Sequence, residues 1–170
     1  MTYPRRYCYV GPAELRHQVL AMDTVAASTP AALTSWLARR DRGELREPLT
    51  YIVALDGALR LAPRRSERVV LAGGREVLTA GEMLFVPAGS GWRVVEVSNQ
   101  STGYCPEPES WPAAGRALDR LGVAHPGEFT EKIVFRRCPV CGERNIVREH
   151  DFTCALCASA LPAQWNFASH

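Results

Sequence analysis

The chain is short of lysine, of histidine through its middle, of long apolar runs and of net charge, and each shortage removes a class of function. Of its 20 basic residues only Lys132 is a lysine. With so much alanine and glycine beside the arginine, this reads as coding bias of a GC-rich bacterial genome, so arginine abundance is not read as function. The formal net charge is +2, and acidic residues are interleaved with basic ones. No long basic run exists to neutralise a phosphate backbone, which argues against nucleic acid as a partner. No window approaches the roughly 18 consecutive apolar residues of a membrane-spanning helix. Met1-Thr-Tyr-Pro-Arg-Arg-Tyr-Cys8 has a twin arginine but no apolar stretch after it, so it does not read as a signal peptide. The expectation is a cytoplasmic protein, in which cysteines serve as metal ligands or free thiols before they serve as disulfides.

What is present is an ordinary globular composition, 46% hydrophobic and 22% charged, with length enough for one sizeable core and a small appended unit. Tyr7 to Val10 reads as a short strand, and Pro12 to Met22 as helical, with Leu15, Val19 and Leu20 near one face. Ser28 or Thr29 caps a clearer helix with Pro30 at its first position and a Leu33, Trp36, Leu37 stripe, stopping before Asp41-Arg-Gly43. From Leu49 the pattern turns to β. Leu49 to Leu55 and Ala58 to Leu61 flank an Asp56-Gly57 type I′ turn. Short strands follow at Arg68 to Ala72, Glu76 to Leu78, Glu82 to Val86 and Trp92 to Val97, punctuated by Gly73-Gly74, Gly81 and Ala88-Gly-Ser-Gly91. Ser110 caps a last helix, Trp111 to Leu121, that Gly122 ends. The chain shows no internal repeat.

The strongest motif lies near the end. Cys138-Pro-Val-Cys141-Gly and Cys154-Ala-Leu-Cys157, with twelve residues between Cys141 and Cys154, give two tight CxxC knuckles whose thiolates converge on one ion. Four thiolates in tetrahedral array suit one structural Zn²⁺, in a zinc ribbon whose shell is closed to water and substrate. Two disulfides, a redox CxxC and a rubredoxin-like iron site are the competing readings. His150 and His170 are alternative ligands, but four cysteines fill the shell. Asn145 to Arg148 and His150 to Thr153 are expected to pair around a turn near Glu149. So small a unit needs its metal in order to fold. From Gly127 onward five basic residues (Lys132, Arg136, Arg137, Arg144, Arg148) balance five acidic ones.

Two resemblances arise in the middle. Gly81-Glu-Met-Leu-Phe-Val-Pro87-Ala-Gly89 resembles the second cupin motif, but Trp92 stands at the position of the metal-binding histidine. There is no histidine between His17 and His125, so a metal cupin cannot be built. Arg65-Ser-Glu-Arg-Val-Val-Leu-Ala-Gly-Gly74, Ala80-Gly-Glu82 and Val95-Glu-Val-Ser-Asn-Gln-Ser-Thr-Gly-Tyr-Cys-Pro106 fall in an order that resembles the conserved domain of plant IQ-motif calmodulin-binding proteins and their bacterial relatives, over Leu49 to Leu121. Arg65 replaces that family's first histidine, Ser101 to Pro106 lacks its second, and no IQ segment is present. The resemblance therefore implies a β-fold with a packed helix, and no calmodulin binding.

The fold expected is α+β. An α+β domain spans 1–126 (helical over 1–48, β over 49–104, a helix over 110–122), and the zinc ribbon spans 127–170. The function expected is a non-catalytic binding or regulatory module that presents the β-domain and ribbon to another protein in a bacterial cytoplasm. An enzyme or toxin-like modifying domain is the alternative, centred on a polar site of Asn99, Ser101, Tyr104, Cys105 and His125. There Cys105 would be the nucleophile, His125 its base, and Glu96 or Asn99 the orienting group. The same residues also read as a turn, with Tyr104 as its anchor and Cys105 packed. A nucleic-acid-binding ribbon is the third reading, and it needs Arg136, Arg137, Arg144 and Arg148 on one face. Arg64-Arg65 with Glu67-Arg68 could hold an anion or form a solvated loop. The four tryptophans read as packing residues, and Cys8 has less support than Cys105 as a nucleophile.

Overall fold

The computed structural model describes residues 3–18 and 23–167. A five-stranded, wholly antiparallel sheet carries the molecule in the order β1-β3-β2-β4-β5, and a separate two-stranded ribbon follows it. The strands are β1 (Val25–Ala27), β2 (Leu49–Ala54), β3 (Leu59–Ala62), β4 (Val77–Ala88), β5 (Gly91–Ser98), β6 (Val134–Arg137) and β7 (Arg144–Val147). Among the described residues three α-helices accompany them: α1 (Pro30–Ala38), α2 (Arg68–Leu71) and α3 (Trp111–Arg120).

Every residue of β2 is buried, because this central strand is covered on both faces. On one face Tyr51, Val53, Leu61, Met83 and Phe85 pack against Leu33, Trp36 and Leu37 of α1 and Ala114, Ala117 and Leu118 of α3. On the other, Ile52, Ala54, Ala62 and Ala80 meet Tyr7, Tyr9, Val69, Leu71 and Tyr104. The α1 start follows its sequence signal. Thr29 Oγ1 accepts from the Ala32 N–H at 3.1 Å, and Pro30 holds the first helical position.

Several expectations are corrected. The first 48 residues are not a helical portion. Among the described residues there, α1 is the only α-helix, a 3₁₀ turn at Ala13–Leu15 and another at Glu44–Arg46 are single turns, and β1 joins the sheet edge on β3. Val19, Leu20 and Met22 of the expected first helix lie outside the described residues. The Tyr7 to Val10 strand contracts to one bridge, Tyr7 to Val77. Arg68 to Ala72 forms α2 rather than a strand. The Gly73-Gly74 pair closes that helix: both have positive φ, Gly74 N–H donates to Val69 O at 2.8 Å, and Gly73 N–H donates to Val70 O at 3.0 Å. The β2–β3 loop is not type I′, which needs positive φ at both central residues. Only Gly57, at φ 84°, is left-handed there, closing a three-residue loop. Gly81 does not interrupt the chain either. It sits inside β4, where a Cβ would lie 1.9 Å from Ser98 O, so glycine lets β4 and β5 approach. Ser110 precedes α3 without capping it. Its hydroxyl instead donates to Glu107 O at 2.7 Å and sits 2.8 Å from Thr79 Oγ1.

The segment after α3 runs along the outer edge of β5. Val94 N–H donates to Ala124 O at 2.8 Å, and Thr130 N–H to Val97 O at 2.9 Å. This cover removes the free sheet edge and delivers the chain to the ribbon.

Candidate metal centre and the joint beneath it

The two CxxC knuckles repeat one hydrogen-bond pattern with an offset of 16 residues. Cys138 N–H donates to Glu143 O and Gly142 N–H to Cys138 O, at 2.8 and 2.9 Å. Cys154 N–H donates to Ser159 O and Ala158 N–H to Cys154 O, at the same two distances. Gly142 and Ala158 both occupy the left-handed region, at φ 78° and 61°. The pairing of Arg137 with Arg144 in the first knuckle matches the bridge of Thr153 to Ala160 in the second. This backbone repeat carries almost no side-chain repeat beyond the cysteines, which is why the sequence shows none. The expected hairpin between 145–148 and 150–153 reduces to one bridge, Arg148 to Asp151, around Glu149 and His150, both left-handed. The ladder forms between β6 and β7.

The knuckles bring Cys138, Cys141, Cys154 and Cys157 together, with all four Sγ atoms within 4.8 Å of one another. Cys138 to Cys157 is 3.5 Å and Cys141 to Cys154 is 3.6 Å. A tetrahedron with metal–sulfur bonds of about 2.3 Å has edges of about 3.8 Å, so the cluster fits one four-coordinate ion. Cys138 and Cys154 are buried, while Cys141 and Cys157 face solvent. Backbone N–H groups of the second knuckle, with the Asn145 amide, lower the Cys154 thiol to about 6. The Glu143 N–H pulls the Cys141 thiol down, but partial desolvation beside the cluster and the neighbouring thiols outweigh it and raise it to about 12. Four thiols this close cannot all ionise without mutual repulsion, which a bound divalent cation relieves. His150 sits exposed in its turn and is not part of the cluster, and His170 lies outside the described residues.

The five residues of the expected polar site have separate structural duties. Asn99, fully buried, donates from Nδ2 to Pro106 O and Ile133 O, both at 2.8 Å, and accepts the Ile133 N–H at 2.7 Å. Ser101 O accepts the Cys105 N–H at 2.7 Å, and its hydroxyl accepts the Tyr104 N–H at 3.3 Å. Tyr104 donates its hydroxyl to Arg75 O at 2.7 Å. The Cys105 thiol is buried, donates to Thr102 O at 3.4 Å, and is pushed up to about 12 by burial. His125 is engaged at the end of α3. Its Nε2 meets Asp119 Oδ1 at 2.7 Å, its Nδ1 accepts the Gly127 N–H, and its ring lies edge-on to Trp111. The loop brings Asn99, Ser101, Tyr104 and Cys105 together; His125 makes no hydrogen bond to any of them.

The loop is a joint. Gly103 O accepts from Val10 N–H at 2.7 Å, Cys105 O from Trp165 Nε1 at 2.8 Å, and Thr102 O from the Arg144 guanidinium. N-terminal segment, C-terminal tail and ribbon thus all close on residues 99–106. Phe135, Ile133, Phe167 and Cys105 form the small core between them. Beside it a cleft of 680 Å³ is lined by Thr102, Cys105, Phe135, Arg144, Ile146 and Leu156 among others.

Three of the ribbon's four arginines are tied into the fold. Arg136 donates to Pro162 O and Ala163 O, Arg137 donates to Gly142 O with its guanidinium over Phe167, and Arg144 is held by Thr102 O. The Arg64-Arg65 segment assembles no anion site, since Arg64 pairs with Glu47 and Arg68 donates to Gly81 O at 3.2 Å. Asn145 and Asn166 were missed by sequence reasoning. Asn166 brackets Arg137, accepting its N–H at 2.8 Å and donating to its carbonyl at 2.7 Å, like a neighbouring strand. Among the described residues no helix is long and apolar enough to cross a membrane. No family model matches the chain, and no curated protein or solved structure matches it. The likeness to the plant IQ-motif domain thus gains no support.

Proposed function

We propose that the chain is a non-catalytic zinc-ribbon module that binds another protein in a bacterial cytoplasm, with one structural Zn²⁺ held by Cys138, Cys141, Cys154 and Cys157. The clustering of four cysteine sulfurs supports a structural ion, since four thiolates would fill a tetrahedral shell and leave no position for water or substrate. When bound, the ion supplies cross-linking of the two knuckles; the protein's own residues supply everything else.

The observation that carries the binding role is the placement of exposed apolar side chains. Val140 and Leu156 occupy the same position in the two knuckles and are 72% and 69% exposed. Leu156 also lines the cleft over Phe135 and Ile146. Paired apolar groups exposed on the two knuckles, one of them beside a groove, offer a surface for protein contact. The guanidiniums of Arg136, Arg137 and Arg144 are committed to carbonyls within the chain, which favours a protein over a nucleic acid. The cleft beside Thr102 and Cys105 favours the enzyme alternative. The thiol within it counters that reading, since a raised value and a hydrogen bond to a carbonyl oppose ionisation.

A photocrosslinking residue placed at Leu156 or Val140, with Leu55 as exposed control, tests the reading in cells. The expected result is one defined adduct from both knuckle positions, absent at Leu55 and lost with Cys138→Ser. Equal labelling at all three positions contradicts it.

A further inference from the structure

The pseudo-repeat of the ribbon is broken at one informative position. Residues 145 and 161 are equivalent by the 16-residue offset. At 161 the second knuckle has Leu161, packed against Cys138 and Cys154. At 145 the first knuckle has a buried asparagine, and the hydrogen bonds of its side chain are directed at the thiolate cluster and its two loops. Asn145 Nδ2 donates to Glu143 O at 3.1 Å and lies 3.4 Å from Cys154 Sγ, while its Oδ1 accepts the Ala155 N–H at 2.9 Å. One side chain therefore reaches the backbone of both knuckles and one of the four sulfurs.

We infer that Asn145 is a positioning residue of the metal centre, which joins the two knuckles and stabilises the Cys154 thiolate by an N–H···S hydrogen bond. This rests on the reading of the four cysteines as a metal centre. The geometry supports a specific electronic role beside the mechanical one. Four thiolates around a divalent cation carry a net charge of −2, and a buried thiolate is stabilised by each donor aimed at it. Cys141 and Cys157 are exposed and can be hydrated. Cys154 is buried and depends on the protein for its donors. Amide donors in the outer shell of a metal site set ligand orientation and basicity, and their loss lowers metal affinity about 10- to 100-fold.

The test uses Co²⁺ as the metal probe on the full chain, because thiolate-to-Co²⁺ charge transfer reports the energy of the sulfur lone pairs directly. Asn145→Asp keeps an acceptor for the Ala155 N–H and removes both donors; Asn145→Leu copies the equivalent position. Both are compared with the wild type at saturating metal, with far-UV circular dichroism confirming that the loaded variants are folded. The expected result is a charge-transfer band shifted to longer wavelength in both variants, with metal affinity in competition against a chromophoric chelator reduced about 10- to 100-fold. An unshifted band in the folded variants, whatever their affinity, reduces Asn145 to a mechanical clamp and overturns the inference. Failure of the wild-type protein itself to give a four-thiolate Co²⁺ spectrum overturns the metal centre instead. The two failures are told apart by the protein in which they occur.

Discussion

Asn99 and Asn145 perform related duties in different places, each a buried amide that ties two segments of backbone no secondary structure connects. Replacing Asn99 with alanine strands the Ile133 N–H and two carbonyls away from water. At about 1–3 kcal/mol for each unsatisfied group, the expected loss is about 4 kcal/mol, read by denaturant unfolding of the metal-loaded protein. A loss under about 1 kcal/mol would show that the joint relaxes around the gap. The left-handed positions of the knuckles give a second test. A non-glycine residue in this conformation costs about 1–2 kcal/mol, so Ala158→Gly, at φ 61°, should raise the melting temperature, and Gly142→Ala, at φ 78°, should lower it. The four cysteines were legible because a CxxC pair has few other uses at that spacing. Asn145 was not, because an asparagine in a strand announces nothing until its partners are known. Ser101, Tyr104 and Cys105 were legible as a cluster but not as a joint, since the residues that close on them lie between 10 and 165 in sequence.

At the scale of elements, β4 and α2 show where local pattern competes with packing. Arg68-Val-Val-Leu71 has the β-branched content of a strand. The two glycines after it nevertheless supply a helix C-terminal motif, and a helical turn places Val69 against the sheet without adding a strand. Gly81 reads as a break and is in fact a contact. Any side chain there collides with Ser98 O, so Gly81→Ala should separate β4 from β5 and destabilise the fold by about 3 kcal/mol. Equilibrium unfolding checks this; an unchanged midpoint would mean the strands move apart at little cost. The α1 helix was legible because capping, proline placement and apolar spacing agreed with one another. The α3 helix and the β2–β3 hairpin were legible from apolar spacing, although Ser110 does not cap the one and the loop of the other is not type I′. The N-terminal portion was not, because three residues of edge strand and single 3₁₀ turns carry too little periodicity to separate from helix.

For the whole molecule, the central sheet and the ribbon are joined through buried groups whose neutral forms the fold prefers. Burial lifts Cys105 from its ordinary 9.0 to about 12, and burial also raises Tyr51 and Tyr104. Below pH 9 the thiol is protonated in both folded and unfolded chains, so its contribution is complete. As pH rises from 9 towards 12 only the unfolded chain releases the proton, and stability falls. The metal-loaded protein should therefore lose stability progressively above pH 9, and Cys105→Ala should lessen the fall between pH 9 and 10, before the tyrosines contribute. A flat profile in that window would place the thiol in contact with water. The same burial predicts that Cys105 resists alkylation in the native protein at pH 8.

The central claim is that the four cysteines of the ribbon hold one zinc ion and that Cys105 takes no part. Elemental analysis of the untagged protein, alongside Cys138→Ser and Cys105→Ser, tests it most directly. The account predicts one equivalent of zinc in the wild type, lost with Cys138→Ser and retained with Cys105→Ser. Absence of zinc, or zinc that disappears with Cys105, would contradict it and make the cleft beside Thr102 the place to look for a metal-dependent active site.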